Sequence, residues 1–194
     1  MQRYEADRPS AAWATVSDVP APPEAPAHPL AAEAIANLLP ARRRVAEAVT
    51  AAMAELAPAS ALITVTINAP DGPELARARA WLDEGELAAD EVGRRLGQPV
   101  TEADLVGWVS EWPLTARGSD LVGTHPVLPA TEPAELSVHI ADWLQDFLAD
   151  VGISDPVPPC PGHAHPMQLD VRHGQPWWLC PRGEPIRAWR AATG

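Results

Sequence analysis

The spacing of apolar residues along the chain is mostly helical. Ile35 and Leu38 share a face ahead of Pro40, which breaks or kinks that run. Val45, Val49, Ala52, Met53 and Leu56 then form a continuous helical stripe. The period changes over residues 62–67, where Ile63, Val65 and Ile67 alternate with Thr64 and Thr66, the signature of a half-buried strand. Its expected partners are the segments near Leu121–Val122 and Val127–Leu128, or a second copy of the chain. Asp71 followed by Glu74 reads as a capping box opening a helix through Leu75, Ala78, Trp81 and Leu82. Residues 113–132 are rich in turn formers and predict loop with at most a short strand. The strongest pattern follows: Leu136, Ile140, Trp143, Leu144, Phe147, Leu148 and Val151 make one broad stripe, with Pro133 in its first turn. Gly152 can take the left-handed conformation that ends that helix, and Ile153 can fold back onto Leu148.

Composition narrows the class. The chain has 194 residues, enough for one domain with an appendage, and 46% of them are hydrophobic. With eight Trp but single Phe and Tyr residues, aromatic packing falls to Trp81, Trp108, Trp112 and Trp143. All basic residues are arginine, which together with abundant Ala and Pro suggests a high-GC bacterial gene, as in actinobacteria. A net charge of −12 argues against a protein that coats nucleic acid or sits on an anionic membrane. No secretory signal or membrane span is visible, so the expected compartment is the cytoplasm, where two cysteines are thiols or metal ligands sooner than a disulfide. Residues 1–27, with Pro20, Pro22, Pro23 and Pro26 and no periodicity, read as a disordered arm in which Trp13 is the one anchor for a partner. Arg42, Arg43 and Arg44 open a helix, the end at which the helix dipole disfavours them. They are a solvated face or pair with acidic helices, or else make an anion or nucleic-acid contact.

Residues 87–112 resemble the helix-turn-helix of bacterial regulators. A helix through Val92 and Leu96 ends at Gly97, and a second, capped by Thr101 and Asp104, carries Leu105, Trp108, Val109 and Trp112. The start of the second helix shows Glu102 and Asp104, which would face phosphate, and only Arg94 and Arg95 on the first helix have the sign for DNA. A helical hairpin within the core is the favoured alternative.

The densest chemistry lies between Cys160 and Cys180. Cys160 and His163 have the spacing of a zinc knuckle, with turn formers Pro161 and Gly162 between them. Leu169 and Val171 lead through a turn at His173–Pro176 to Trp177, Trp178 and Leu179, a β-hairpin that returns Cys180 to the first knuckle. Cys180-Pro-Arg-Gly183 repeats the Cys-Pro-x-x shape. Residues 158–184 thus resemble a degenerate zinc ribbon in which Gly183 stands at the fourth ligand position and His165 fills the gap. The resemblance implies a structural zinc on Cys160, His163, His165 and Cys180. Three ligands would leave an open site, and free thiols with surface histidines, or a Cys160–Cys180 disulfide, are the remaining alternatives. Arg172, Arg182, Arg187 and Arg190 make this segment locally basic, suited to docking on the acidic helix of residues 133–150 or to contact with nucleic acid or an acidic partner. Trp177, Trp178 and Trp189 cover the hairpin core or form an exposed patch. His139 reads as a packed helix histidine, and His125 as a loop residue without a partner.

The expected fold is α+β and mainly α-helical: an arm (1–27), a helical domain with one or two short strands (28–153), and a C-terminal zinc-binding β-hairpin (154–194). The leading functional expectation is a non-enzymatic regulatory or adaptor protein acting through protein contacts. A DNA-binding regulator and a metal-dependent enzyme with an open zinc site are the alternatives. A protein partner is expected, nucleic acid is not favoured, and no membrane is involved.

Overall fold

The structure, a computed structural model, describes residues 36–85 and 87–189. The arm with Trp13, the start of the helical pattern before residue 36, and Arg190 lie outside the described residues. Those residues form five α-helices and two three-stranded antiparallel sheets, a mixed α+β fold. No described helix is long and apolar enough to cross a membrane.

Two long helices make the frame. Helix α1 (Leu39–Glu55) starts with Pro40 in its first turn, so the proline initiates the helix without kinking it. It buries Ala41, Val45, Ala48, Val49 and Ala52 on one face. Helix α5 (Pro133–Asp150) buries Leu136, Ile140, Leu144, Phe147 and Leu148 against it. Its end follows the expected pattern: Gly152 has φ 91°, and the Ile153 N–H donates to Leu148 O at 3.2 Å. Between them in sequence come α2 (Gly72–Asp83), α3 (Ala89–Leu96) and α4 (Glu102–Val109). Asp71 caps α2 by accepting from the Glu74 N–H at 2.9 Å, and Thr101 caps α4 by accepting from the Asp104 N–H at 3.2 Å.

The first sheet corrects the reading of residues 113–132. Strands β2 (Trp112–Arg117) and β3 (Val122–Val127) form a hairpin there, with β1 (Thr64–Ile67) paired to β2. The body therefore has three strands where one or two were expected. The partner of β1 is 114–117, not the segments near 121 or 127. Trp112, assigned by its apolar spacing to the preceding helix, begins β2, where its Nε1–H donates to Gly107 O at 2.9 Å. Register explains how prolines sit in these strands. Asn68 N–H donates to Pro113 O at 2.9 Å, and its side chain donates to the same oxygen at 3.2 Å, at the end of β1 where Pro113 returns no N–H. Pro126 lies on the edge strand β3, with its missing N–H on the unpaired side. The inner face carries Trp112, Leu114 and Ala116, all buried.

The C-terminal segment is also larger than a hairpin. Strands β4 (Gln168–Arg172) and β5 (Gln175–Leu179) pair through a turn at His173 and Gly174, and β6 (Pro185–Ala188) adds a third strand to β5. Met167, Trp178, Cys160 and Cys180 belong to the same hydrophobic core as α1 and α5. Trp178, at 0% exposure, is its largest contribution from this sheet. Its Nε1–H donates to Glu55 Oε2 at 2.9 Å, and Arg187 of β6 pairs with the same oxygen at 2.7 Å. The basic tail thus meets the C-terminal end of α1 through Glu55, while Arg172 pairs within its own strand with Asp170 at 3.1 Å.

Candidate metal centre

The path of the chain around Cys160 is set by short backbone bonds. His163 N–H donates to Cys160 O at 3.1 Å, closing the first tight turn, and Cys160 N–H donates to His165 O at the same distance. The second turn mirrors this: Gly183 N–H donates to Cys180 O at 2.8 Å. Gly183 has φ 93°, a conformation that ordinary L-residues rarely adopt, so a side-chain ligand at that place in the ribbon pattern would come with backbone strain. The turn that shapes the knuckle thus favours the residue that cannot ligate. The segment is hooked to α5 by Gln145, whose Nε2 donates to Val157 O at 2.6 Å and Met167 O at 2.9 Å.

These turns bring Cys160, His163, His165 and Cys180 together, with their ligand atoms all within 4.8 Å of one another. His163 Nδ1 lies 3.4 Å from Cys160 Sγ and 3.5 Å from Cys180 Sγ. Two ligands at about 2.3 Å (sulfur) and about 2.0–2.1 Å (nitrogen) on a tetrahedral ion stand about 3.5 Å apart, so both distances match tetrahedral edges. His165 Nδ1 lies 3.0 Å from Pro166 O. A carbonyl only accepts, so in the neutral ring Nδ1 carries the proton and Nε2 keeps its lone pair. That Nε2 is buried without a hydrogen-bond partner, and an orphaned buried acceptor is costly unless something binds it. A histidine whose other nitrogen is held by a backbone carbonyl is the usual outer-shell arrangement of a metal ligand. The two imidazoles stack with centroids 5.0 Å apart.

Both cysteines are buried free thiols. Burial pushes the Cys160 thiol up, the neighbouring Cys180 adds to that, and Arg182 opposes it. Four residues of this kind at these distances can hold a metal ion, and the sequence pattern singled out all four. His173 sits in the β4–β5 turn with φ 54° and takes no part.

The other candidate residues are elsewhere. Arg44 turns inward, donating to Pro129 O and Thr131 O, each at 2.9 Å, and lying over the Trp108 ring at 5.9 Å. Burial lowers its pKa, with Glu132 and Glu47 opposing. In the helix-turn-helix lookalike, Leu105, Gly107, Trp108 and Val109 of α4 are buried, and α4 packs on α1 and α2. Gly107 lies so close to Leu38 that an added Cβ would come within 3.0 Å of its Cδ2. His125 is a correction: it lies in β3, not in a loop, and has a partner. Its Nε2 is 2.8 Å from His139 Nε2, and its ring stacks on Trp143 with centroids 5.2 Å apart. Sequence spacing missed this pair because 14 residues and two different elements separate its members.

Comparison of the chain with protein-family models, with curated proteins and with solved structures returns no match.

Proposed function

We propose that Cys160, His163, His165 and Cys180 hold a structural zinc ion that closes the C-terminal sheet onto the helical body, in a regulatory or adaptor protein that acts through protein contacts. The observation that carries the zinc reading is the orphaned Nε2 of His165 beside two thiols and a second imidazole. With His165 included, the protein supplies four ligands, the number of a closed structural site, and no place is left for water or substrate. Two thiolates and two imidazoles suit zinc in preference to hard cations, which select oxygen ligands. The adaptor reading is supported by the acidic balance of the chain and by exposed apolar side chains on the first sheet and α1, Val122 at 52% and Leu39 at 51% exposure among them. The inward packing of α4 lends no support to reading DNA with that helix.

Cobalt substitution tests the site. Co(II) in place of zinc gives the visible bands of a tetrahedral centre with sulfur ligands, and these stay unchanged on adding azide. Bands that shift with azide would show an open position and favour the enzyme reading. The adaptor role is tested separately by affinity capture from the native host. A stoichiometric protein partner supports it; turnover of substrates by the purified chain, with no partner recovered, contradicts it.

A further inference from the structure

The reading as a protein that works through contacts leaves open where a partner would dock, and one edge of the first sheet has the features of such a place. Strand β1 pairs with β2 on one side only, and no described strand occupies its other side. Hydrogen-bonded and non-hydrogen-bonded pairs alternate along an antiparallel ladder. Asn68 and Pro113 share a hydrogen bond, which places Thr66 and Thr64 in bonded pairs and leaves Val65 and Ile67 with N–H and C=O groups directed away from β2. The open edge therefore offers two donors and two acceptors in the register of an incoming strand.

The surroundings of this edge are unusual for the chain. Ile67, Leu39 and Ala46 line a groove of about 350 Å³ between β1 and the first half of α1, with Arg42 and Arg43 also on its walls. Leu39 is 51% exposed, and Leu62, just ahead of β1, is 67% exposed. Both arginines are exposed. Neither makes a salt bridge among the described residues, although the chain carries 26 acidic residues against 14 basic ones. They stand in the first turns of α1, where the helix dipole disfavours them. Arg44 beside them is consumed by the fold; Arg42 and Arg43 are not.

We propose that the open edge of β1, with the groove beside it, is a docking site for an extended acidic segment of a partner protein, added as a further strand. The outward backbone groups of Val65 and Ile67 pair with the segment, its apolar side chains enter the groove, and Arg42 and Arg43 meet its carboxylates.

The probe is a fluorescein-labelled octapeptide of alternating valine and glutamate, followed by anisotropy with the metal-loaded 194-residue chain. Controls are its valine–lysine analogue and the glutamate peptide N-methylated at alternate residues in either register, one of which has its β1-facing edge blocked while the other keeps it free. The glutamate peptide is expected to bind saturably, and the lysine analogue and one N-methylated form at least tenfold more weakly. The double variant Arg42→Glu/Arg43→Glu is also expected to lose at least tenfold, while keeping its metal and its melting temperature. Equal binding of all the peptides, indifference to the double variant, absence of saturable binding, or a dimer formed through β1 that refuses the peptide would each overturn the proposal. Metal content is read on the same samples, so a wild-type chain that holds zinc but not peptide overturns the edge and leaves the zinc reading standing.

Discussion

His125 and His139 share one short contact between two Nε2 atoms, which holds only while a single proton lies between them. Burial lowers the pKa of His125, the neighbouring His139 lowers it further, and Asp142 opposes both. The unfolded chain therefore takes up a proton at this residue before the folded one does. Its contribution to stability is full above about pH 6.5 and is lost as pH falls from there to the folded pKa. NMR titration of the ring protons is expected to give His125 a midpoint below that of a free histidine, and a midpoint at or above it would contradict the assignment. Close packing makes a second residue-scale prediction. An added Cβ at Gly123 would lie 2.9 Å from Phe147 Cδ2, so Gly123→Ala is expected to cost about 1–3 kcal/mol. In denaturant titration Gly123→Ala should cost less on a Phe147→Leu background than on the wild type, because leucine lacks the ring that the added Cβ meets.

At the scale of elements, one buried carboxylate joins α1 to the C-terminal sheet. Glu55 is 8% exposed and receives the Trp178 indole N–H and the Arg187 guanidinium. Its position at the end of α1 is unfavourable to the helix dipole, and those two donors from β5 and β6 offset that. Glu55→Ala strands the buried Trp178 indole N–H and leaves the partly exposed Arg187 to water and Ala188 O, and is expected to cost about 1–3 kcal/mol in chemical denaturation, with tryptophan fluorescence reporting the loosened sheet. A change within about 0.5 kcal/mol would show that the joint carries little. The sequence could not point to Glu55, because its partners lie 123 residues away or more. The helices were legible because local spacing and caps dictate them: the stripes of α1 and α5 and the Asp71 cap needed no distant partner. Strands β2 and β6 were not, and β3 only at its two ends, because Pro113, Gly123, Pro126 and Pro185 obscure their alternation. Their stability comes from pairing and from the helix beneath them. The cluster of Cys160, His163, His165 and Cys180 was legible for the opposite reason to Glu55: the tight turns at Cys160 and Cys180 are local, and Cys and His are few.

For the whole molecule, the proposed metal centre and the Glu55 joint act on the same sheet, since Trp178 and Cys180 are two residues apart. The three short strands of this sheet depend on their packing against α5, and structural zinc contributes about 10–16 kcal/mol in small peptides. Chelation is therefore expected to loosen β4–β6 and expose Trp178 while α1 and α5 keep their helicity. Taking roughly 5 kcal/mol of lost coupling, the melting temperature should fall by about 10–20 °C. Calorimetry with and without chelator checks this. His165→Ala should weaken zinc by more than the roughly 10–100-fold typical of outer-shell losses; an unchanged affinity in competition titration would remove His165 from the ligand set. The most direct test is the metal content of the chain purified without chelator, wild type beside Cys160→Ala. One zinc per wild-type chain and none in the variant is the expected result; a metal-free wild type would contradict the zinc centre.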